Sequence, residues 1–154
     1  MKRFLSAVYK YMPSPFLRLG LFLASAKFNH GAVGIYEDSN GHVLVLNHVY
    51  RKGPAWGFPS GFVNTGESTA DGALLEMREE TGLTAMVDRV GETTLVAPRH
   101  LETVAYGRAD SAQALRLCHE IFEACWVDPQ NVREHIAKGL PPDQHRLMIA
   151  LAKK

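Results

Sequence analysis

The sequence predicts a mixed α/β domain, and three observations carry that expectation. Hydrophobic segments of strand character, Gly31 to Tyr36 and His42 to Val49, flank a strong turn signal at Ser39-Asn40-Gly41 and predict a hairpin. An amphipathic helical stretch covers Thr69 to Thr81, with further strand-like segments after it. A chain of 154 residues, 46% of them hydrophobic, suits one domain that buries a core without covalent staples.

The first 28 residues read as a separate element, leaving residues 29 to 154 as the domain body. Lys2, Arg3, Lys10, Arg18 and Lys27 occur there without an acid, giving +5 against −4 in the remainder. The apolar run from Phe16 to Leu23 is interrupted by Arg18 and falls short of the ~18 residues a membrane span needs. Ala24-Ser25-Ala26 resembles a secretory cleavage site, but Lys10, Pro13, Pro15 and Arg18 break the apolar core such a leader requires. Two short helices broken at Pro13 to Pro15 are expected instead. They would pack on the domain, on a second subunit or on an anionic membrane surface, with homodimerisation ranked above membrane contact.

Further along, Trp56 to Val63 is expected as a third strand, Met86 to Val96 as a fourth and Leu115 to Val127 as a long fifth. Residues 98 to 113 read as a looser connector whose Pro98, Arg99, His100, Tyr106 and Arg108 suit a substrate-covering loop. Two helices are expected past Asp128-Pro129, the last opening near Asp143 and carrying Leu147, Met148 and Leu151. Cys118 and Cys125 lie seven apart in one expected strand, too distant for a disulfide, which fits a cytoplasmic location. A net charge of +1 gives no support for nucleic-acid binding driven by bulk charge.

The helix carries the chemistry. Ser68 and Asp71 form a capping box, Gly82 supplies the stop, and Ala70, Ala73, Leu74 and Met77 make the stripe that docks on a core. Glu76, Glu79 and Glu80 follow at i, i+3 and i+4, so they emerge over one turn, with Glu67 just upstream. Crowded acids repel one another unless a cation binds, and an oxygen-only donor set selects a hard divalent ion.

These residues resemble the Nudix box: Gly, five residues, Glu, seven residues, then Arg-Glu-U-x-Glu-Glu-x-Gly-U, with U a bulky aliphatic. Gly61, Glu67, Glu76, Met77, Glu79, Glu80, Gly82 and Leu83 fill eight of the nine constrained positions. The resemblance covers roughly Gly31 to Lys154 and is specific from Trp56 to Leu83. It implies the Nudix fold, a mixed β-sheet between helices, and a pyrophosphohydrolase using Mg²⁺, with Mn²⁺ able to substitute. It also implies Glu76, Glu79 and Glu80 as ligands, the Gly61 carbonyl as a further one, and Glu80 or Glu79 as helpers in activating water. A general base on a downstream loop is the other option, with His100, Glu102 and Glu120 as candidates.

One position departs from the pattern. The family's Arg falls at Leu75, which is i−4 from Glu79 and can neither orient a carboxylate nor offset its charge. Arg78 should point elsewhere, whereas Arg51 or Lys52 from an adjoining loop would supply the missing cation. For the substrate, Arg51, Lys52 and Arg99 are candidate phosphate contacts, and Trp56 or Tyr50 candidate stacking partners for a base. The expected substrate is a small-molecule nucleotide, a nucleoside diphosphate sugar such as ADP-ribose. Pro98, sixteen residues after Gly82, resembles a proline that marks ADP-ribose hydrolases in the family. Nucleoside triphosphates come next and capped RNA third. Two other classes of reading are a nucleotide-binding or regulatory module whose catalysis was lost at Leu75, and an interaction protein organised by its N-terminal helices.

Overall fold

The computed structural model describes residues 10–51 and 55–130. Lys10 and Tyr11 are helical, the chain breaks at Met12 and Pro13, and helix α1 follows over Ser14–Ala24. The break falls at the prolines, as expected, because Pro15 in the first turn needs no N–H donor there. No residue of α1 is buried, and Phe16, Leu19, Phe22 and Leu23 are exposed. No described helix is long and apolar enough to cross a membrane.

A single mixed sheet forms the body, from β1 (Asn29–Glu37), β2 (Val43–His48), β3 (Trp56–Gly57) and β4 (Ser60–Phe62), followed after helix α2 (Thr69–Thr81) by β5 (Ala85–Ala97), β6 (His100–Ala109) and β7 (Ile121–Val127). Its order is β3-β2-β1-β6-β5, with β4 also on β1 and β7 also on β2. The Ser39-Asn40-Gly41 turn forms, with Gly41 at φ 79 and its N–H bonded to the Asp38 carbonyl at 3.1 Å. The Asp38 carboxylate accepts hydrogen bonds from the Asn40 and His42 amides at 2.8 and 2.9 Å and from the Ser111 hydroxyl at 2.9 Å. Burial opposes its charge, but the bonds from His42, Ser111 and Asn40 hold the carboxyl below its ordinary range.

The expected hairpin is shorter than its turn suggests. Only Glu37 and Val43 pair between β1 and β2, after which the strands diverge. The segment Trp56 to Val63 fills the opening as two short strands rather than one: β3 pairs with β2 at Leu46 and Asn47, and β4 pairs with β1 at Gly31 to Val33. Phe58 and Pro59 turn between them, and the Pro59 carbonyl accepts the Gly34 N–H at 2.8 Å. A proline donates nothing to a ladder, so a continuous strand through Pro59 is unfavourable.

Residues 98 to 113 are not a loose connector. His100–Ala109 is a strand inside the sheet, parallel to β1 from Asn29/His100 to Glu37/Arg108 and antiparallel to β5. Its buried positions alternate as Thr103, Ala105, Gly107 and Ala109. Small residues on the buried face conceal a strand from a search for bulky alternation. Gly107 has no room for a side chain, since a methyl there would meet the Met86 carbonyl oxygen at 2.0 Å. The long strand expected over Leu115 to Val127 is also corrected, because β7 starts at Ile121. Before it, the Arg116 and Cys118 amides bond the carbonyls of Thr81 and Glu80 at 2.8 and 3.1 Å, closing the end of α2 instead of a sheet edge. Cys118 therefore lies outside the strand that holds Cys125, and both thiols are free. The helices expected past Pro129 lie outside the described residues.

Helix α2 has the expected bounds and caps. The Ser68 Oγ accepts the Asp71 N–H at 3.1 Å, and Gly82 closes the helix in the left-handed region with its N–H on the Arg78 carbonyl at 2.9 Å. One face of the sheet meets α2, through Tyr36, Leu44 and Leu46 against Met77 and Leu83, and through Ala32 and Ala105 against Ala73. The buried Tyr36 hydroxyl donates to the Ala73 carbonyl at 2.8 Å, pinning helix to sheet. The other face buries Val33, Ile35, Val43, Val45 and Phe58.

Candidate active site

The strap from Trp56 to Phe62 runs beside the acidic face of α2, and its glycine makes the approach possible. A methyl group on Gly61 would stand 1.8 Å from Glu76 Oε1 and 2.0 Å from its carboxyl carbon. Only a residue without Cβ lets the Glu76 carboxylate lie against the strand. One helical turn on, Glu80 is just 6% exposed. Its Oε2 accepts the Ser60 N–H at 3.2 Å, and its Oε1 lies 3.7 Å from His48 Nδ1.

Charge is concentrated here. Burial, and next the charge of Glu76, push the Glu80 carboxyl up to about 8, although the Ser60 amide and Arg51 pull the other way. Burial also raises Glu76, followed by the charges of Glu79, Glu120 and Glu67. His48 is driven down to about 4 by burial and then by Arg51, so its imidazole is neutral at pH 7. Among the described residues, its buried Nε2 lacks a hydrogen-bond partner.

Glu79 lies on the exposed side of this group, and among the described residues no three His, Cys, Asp or Glu side chains already form a chelating cluster. The donor set fits a hard divalent cation in three respects. It is all oxygen, Gly61 leaves the notch that Glu76 occupies, and both carboxyls are raised by burial and then by neighbouring carboxylates, Glu79, Glu120 and Glu67 on Glu76 and Glu76 on Glu80.

Glu67 has a different task. Its Oε2 accepts the Asn64 backbone and side-chain N–H groups at 2.9 and 3.2 Å, clasping the loop that leads into α2. Of the candidate bases, Glu120 is the one whose charge acts on both Glu76 and Glu80. His100 and Glu102 bond each other at 3.2 Å at the start of β6, and strand alternation sets them opposite the face where Ala105 meets α2.

The other candidates are scattered. Arg51 acts on Glu80 by charge, and its guanidinium donates to the Trp56 carbonyl at 3.2 Å and the Ser60 Oγ at 3.3 Å. Lys52 is outside the described residues. Trp56 is half-buried against the core face that holds Val33 and Phe58, while Tyr50 is 70% exposed. Arg99 sits at φ 61 in the turn between β5 and β6, its carbonyl bonded to the Asn29 N–H at 2.8 Å. Two participants escaped sequence reasoning. His48 was detectable, since it shares strand parity with Leu44 and Leu46, which face α2. Ser60 acts through a backbone N–H, for which no side-chain signal exists.

Fold, box and carboxylate geometry define one class of protein, and comparison with known proteins agrees. The NUDIX domain model matches residues 28–150, and the chain belongs to the Nudix family. It is 31% identical over 90 residues to Nudix hydrolase 8 of Arabidopsis thaliana, covering 56% of this chain and 23% of that protein. The chain spans half or less of the curated relatives it matches. A NUDIX hydrolase from Nitrosomonas europaea superposes with a TM-score of 0.73 at 16% identity, over 84% of this chain and 73% of that one. A bifunctional NMN adenylyltransferase/ADP ribose pyrophosphatase from Francisella tularensis, complexed with AMP and a Mn ion, superposes with a TM-score of 0.68 at 18% identity. That match covers 90% of this chain and 45% of that one.

Proposed function

We propose that this chain hydrolyses the pyrophosphate of a nucleoside diphosphate linked to another moiety, with a nucleoside diphosphate sugar such as ADP-ribose as substrate. The observation that carries the assignment is the pair of carboxylates, Glu76 in the Gly61 notch and Glu80 beneath the Ser60 amide, each raised by burial and then by neighbouring charge. Together with Glu79 and the Gly61 carbonyl they would hold Mg²⁺, with Mn²⁺ as a substitute. Bound there, the ion would neutralise phosphate oxygens and make water a better nucleophile at neutral pH. The chain's own residues do the rest. Ser60 orients Glu80, Asn64 and Glu67 fix the loop entering α2, and Glu120, whose charge acts on both Glu76 and Glu80, is the candidate to take the proton from attacking water.

The test is product analysis with Mg²⁺ over a panel of nucleoside diphosphate sugars and nucleoside triphosphates. AMP and ribose 5-phosphate from ADP-ribose, absent with Glu80→Gln, support the assignment. A nucleoside monophosphate plus pyrophosphate from a triphosphate moves it to that substrate class. Ligand-induced stabilisation without turnover makes the chain a binding module.

A further inference from the structure

The carboxylate group needs a local cation of its own, and position 75 does not supply one. Leu75 lines a groove on the flank of α2 with Asp71, Leu74, Leu83 and Arg78, so Arg78 is also turned that way. Arg51 donates to the Trp56 carbonyl and the Ser60 hydroxyl, the first residues of β3 and β4 on the strap. The Ser60 amide holds Glu80 Oε2, and the next residue, Gly61, forms the Glu76 notch. One planar fork thus fixes the strap on which both carboxylates are seated, and its charge falls on the buried one.

We propose that Arg51 is a positioning residue that replaces the cation missing at Leu75, setting Glu80 and Glu76 through Ser60 and Gly61. The proposal rests on the hydrolase assignment above for its catalytic consequence, though not for the contact itself. Arg51 acts through the carboxylates, so its loss should lower kcat and leave KM little changed. A phosphate grip would do the reverse.

The experiment compares the wild type with Arg51→Ala, Arg51→Lys, Leu75→Arg and the Arg51→Ala/Leu75→Arg double variant, all confirmed folded by circular dichroism. Loss of an outer partner of this kind costs on the order of 10- to 100-fold in activity. Arg51→Ala should lose that much in kcat, and Arg51→Lys should lose less. Leu75→Arg, one turn before Glu79, should restore part of the loss in the double variant. An unchanged kcat, a rise confined to KM, or failure of Leu75→Arg to rescue would each overturn the proposal. A thermal-melting cycle of Arg51→Ala with Glu80→Gln, run at a pH above the Glu80 value of about 8 so that the wild-type carboxyl is ionised, supplies a readout independent of turnover. The shift caused by Arg51→Ala should shrink when Glu80 is neutral, whereas additive shifts contradict the link. If the wild type cleaves no pyrophosphate the hydrolase assignment fails, and the melting cycle still decides whether Arg51 and Glu80 are coupled.

Discussion

Gly61→Ala separates the seat of Glu76, the carboxylate we propose as a metal ligand, from the stability of the fold. Gly61 lies in β4 and is not among the glycines with positive φ, which are Gly41, Gly66 and Gly82, so alanine fits the backbone. The new methyl would stand 1.8 Å from Glu76 Oε1, and non-bonded heavy atoms settle at about 3.5 Å, so the carboxylate must retreat by roughly 1.7 Å. The atoms displaced are the far end of a flexible side chain, which moves at little cost. Stability should therefore change by about 1 kcal/mol or less, a shift of roughly 2–4 °C in Tm for a domain of this size. Catalysis should suffer far more, since a misplacement of about 1 Å can cost about 10²-fold. Steady-state turnover of a nucleoside diphosphate sugar with Mg²⁺, run beside a thermal melt, reads both quantities. A kcat within twofold of wild type in a folded Gly61→Ala protein would refute the reasoning, because Glu76 would then work from elsewhere.

Three further outcomes follow from the geometry. Asp38 has a folded-state carboxyl below its unfolded range, so its stabilisation is present above that range and lost as pH falls through the folded value. Urea unfolding at pH 7 and pH 3 should show a steeper loss in wild type than in Asp38→Asn, and equal losses would remove Asp38 from the account. Met77 is fully buried between α2 and the sheet, so Met77→Ala should cost about 2–5 kcal/mol in chemical denaturation, and under about 1 kcal/mol would mean the site collapses to fill itself. For residues 1–28 we propose self-association, and Phe16→Ser with Phe22→Ser should lower the sedimenting mass from dimer to monomer. A wild type that already sediments as a monomer contradicts that role.

Much of the site was legible because its signals are local. Ser68, Asp71 and Gly82 set the ends of α2, and the spacing of Glu76, Glu79 and Glu80 marks the acidic face. What the sequence concealed depends on non-local pairing. The β6 strand buries Thr103, Ala105, Gly107 and Ala109 against α2 and its neighbours, and small residues carry little periodic hydrophobic signal. The division of Trp56 to Val63 into two strands follows from β1 and β2 parting after their turn, which no local propensity encodes. Helical spacing also says nothing of how deeply each acid is buried. It put three on one turn without distinguishing them, whereas the fold buries Glu80 and leaves Glu79 exposed.

The account depends on Glu76 and Glu80 drawing a divalent ion to a nucleotide's diphosphate, and calorimetric titration of Mg²⁺ with a non-hydrolysable nucleoside diphosphate analogue present tests that directly. Saturable Mg²⁺ uptake by the wild type, with affinity falling in Glu76→Gln and Glu80→Gln while their melting temperatures hold, is the predicted result. Equal uptake by all three proteins, or none by the wild type, would contradict it.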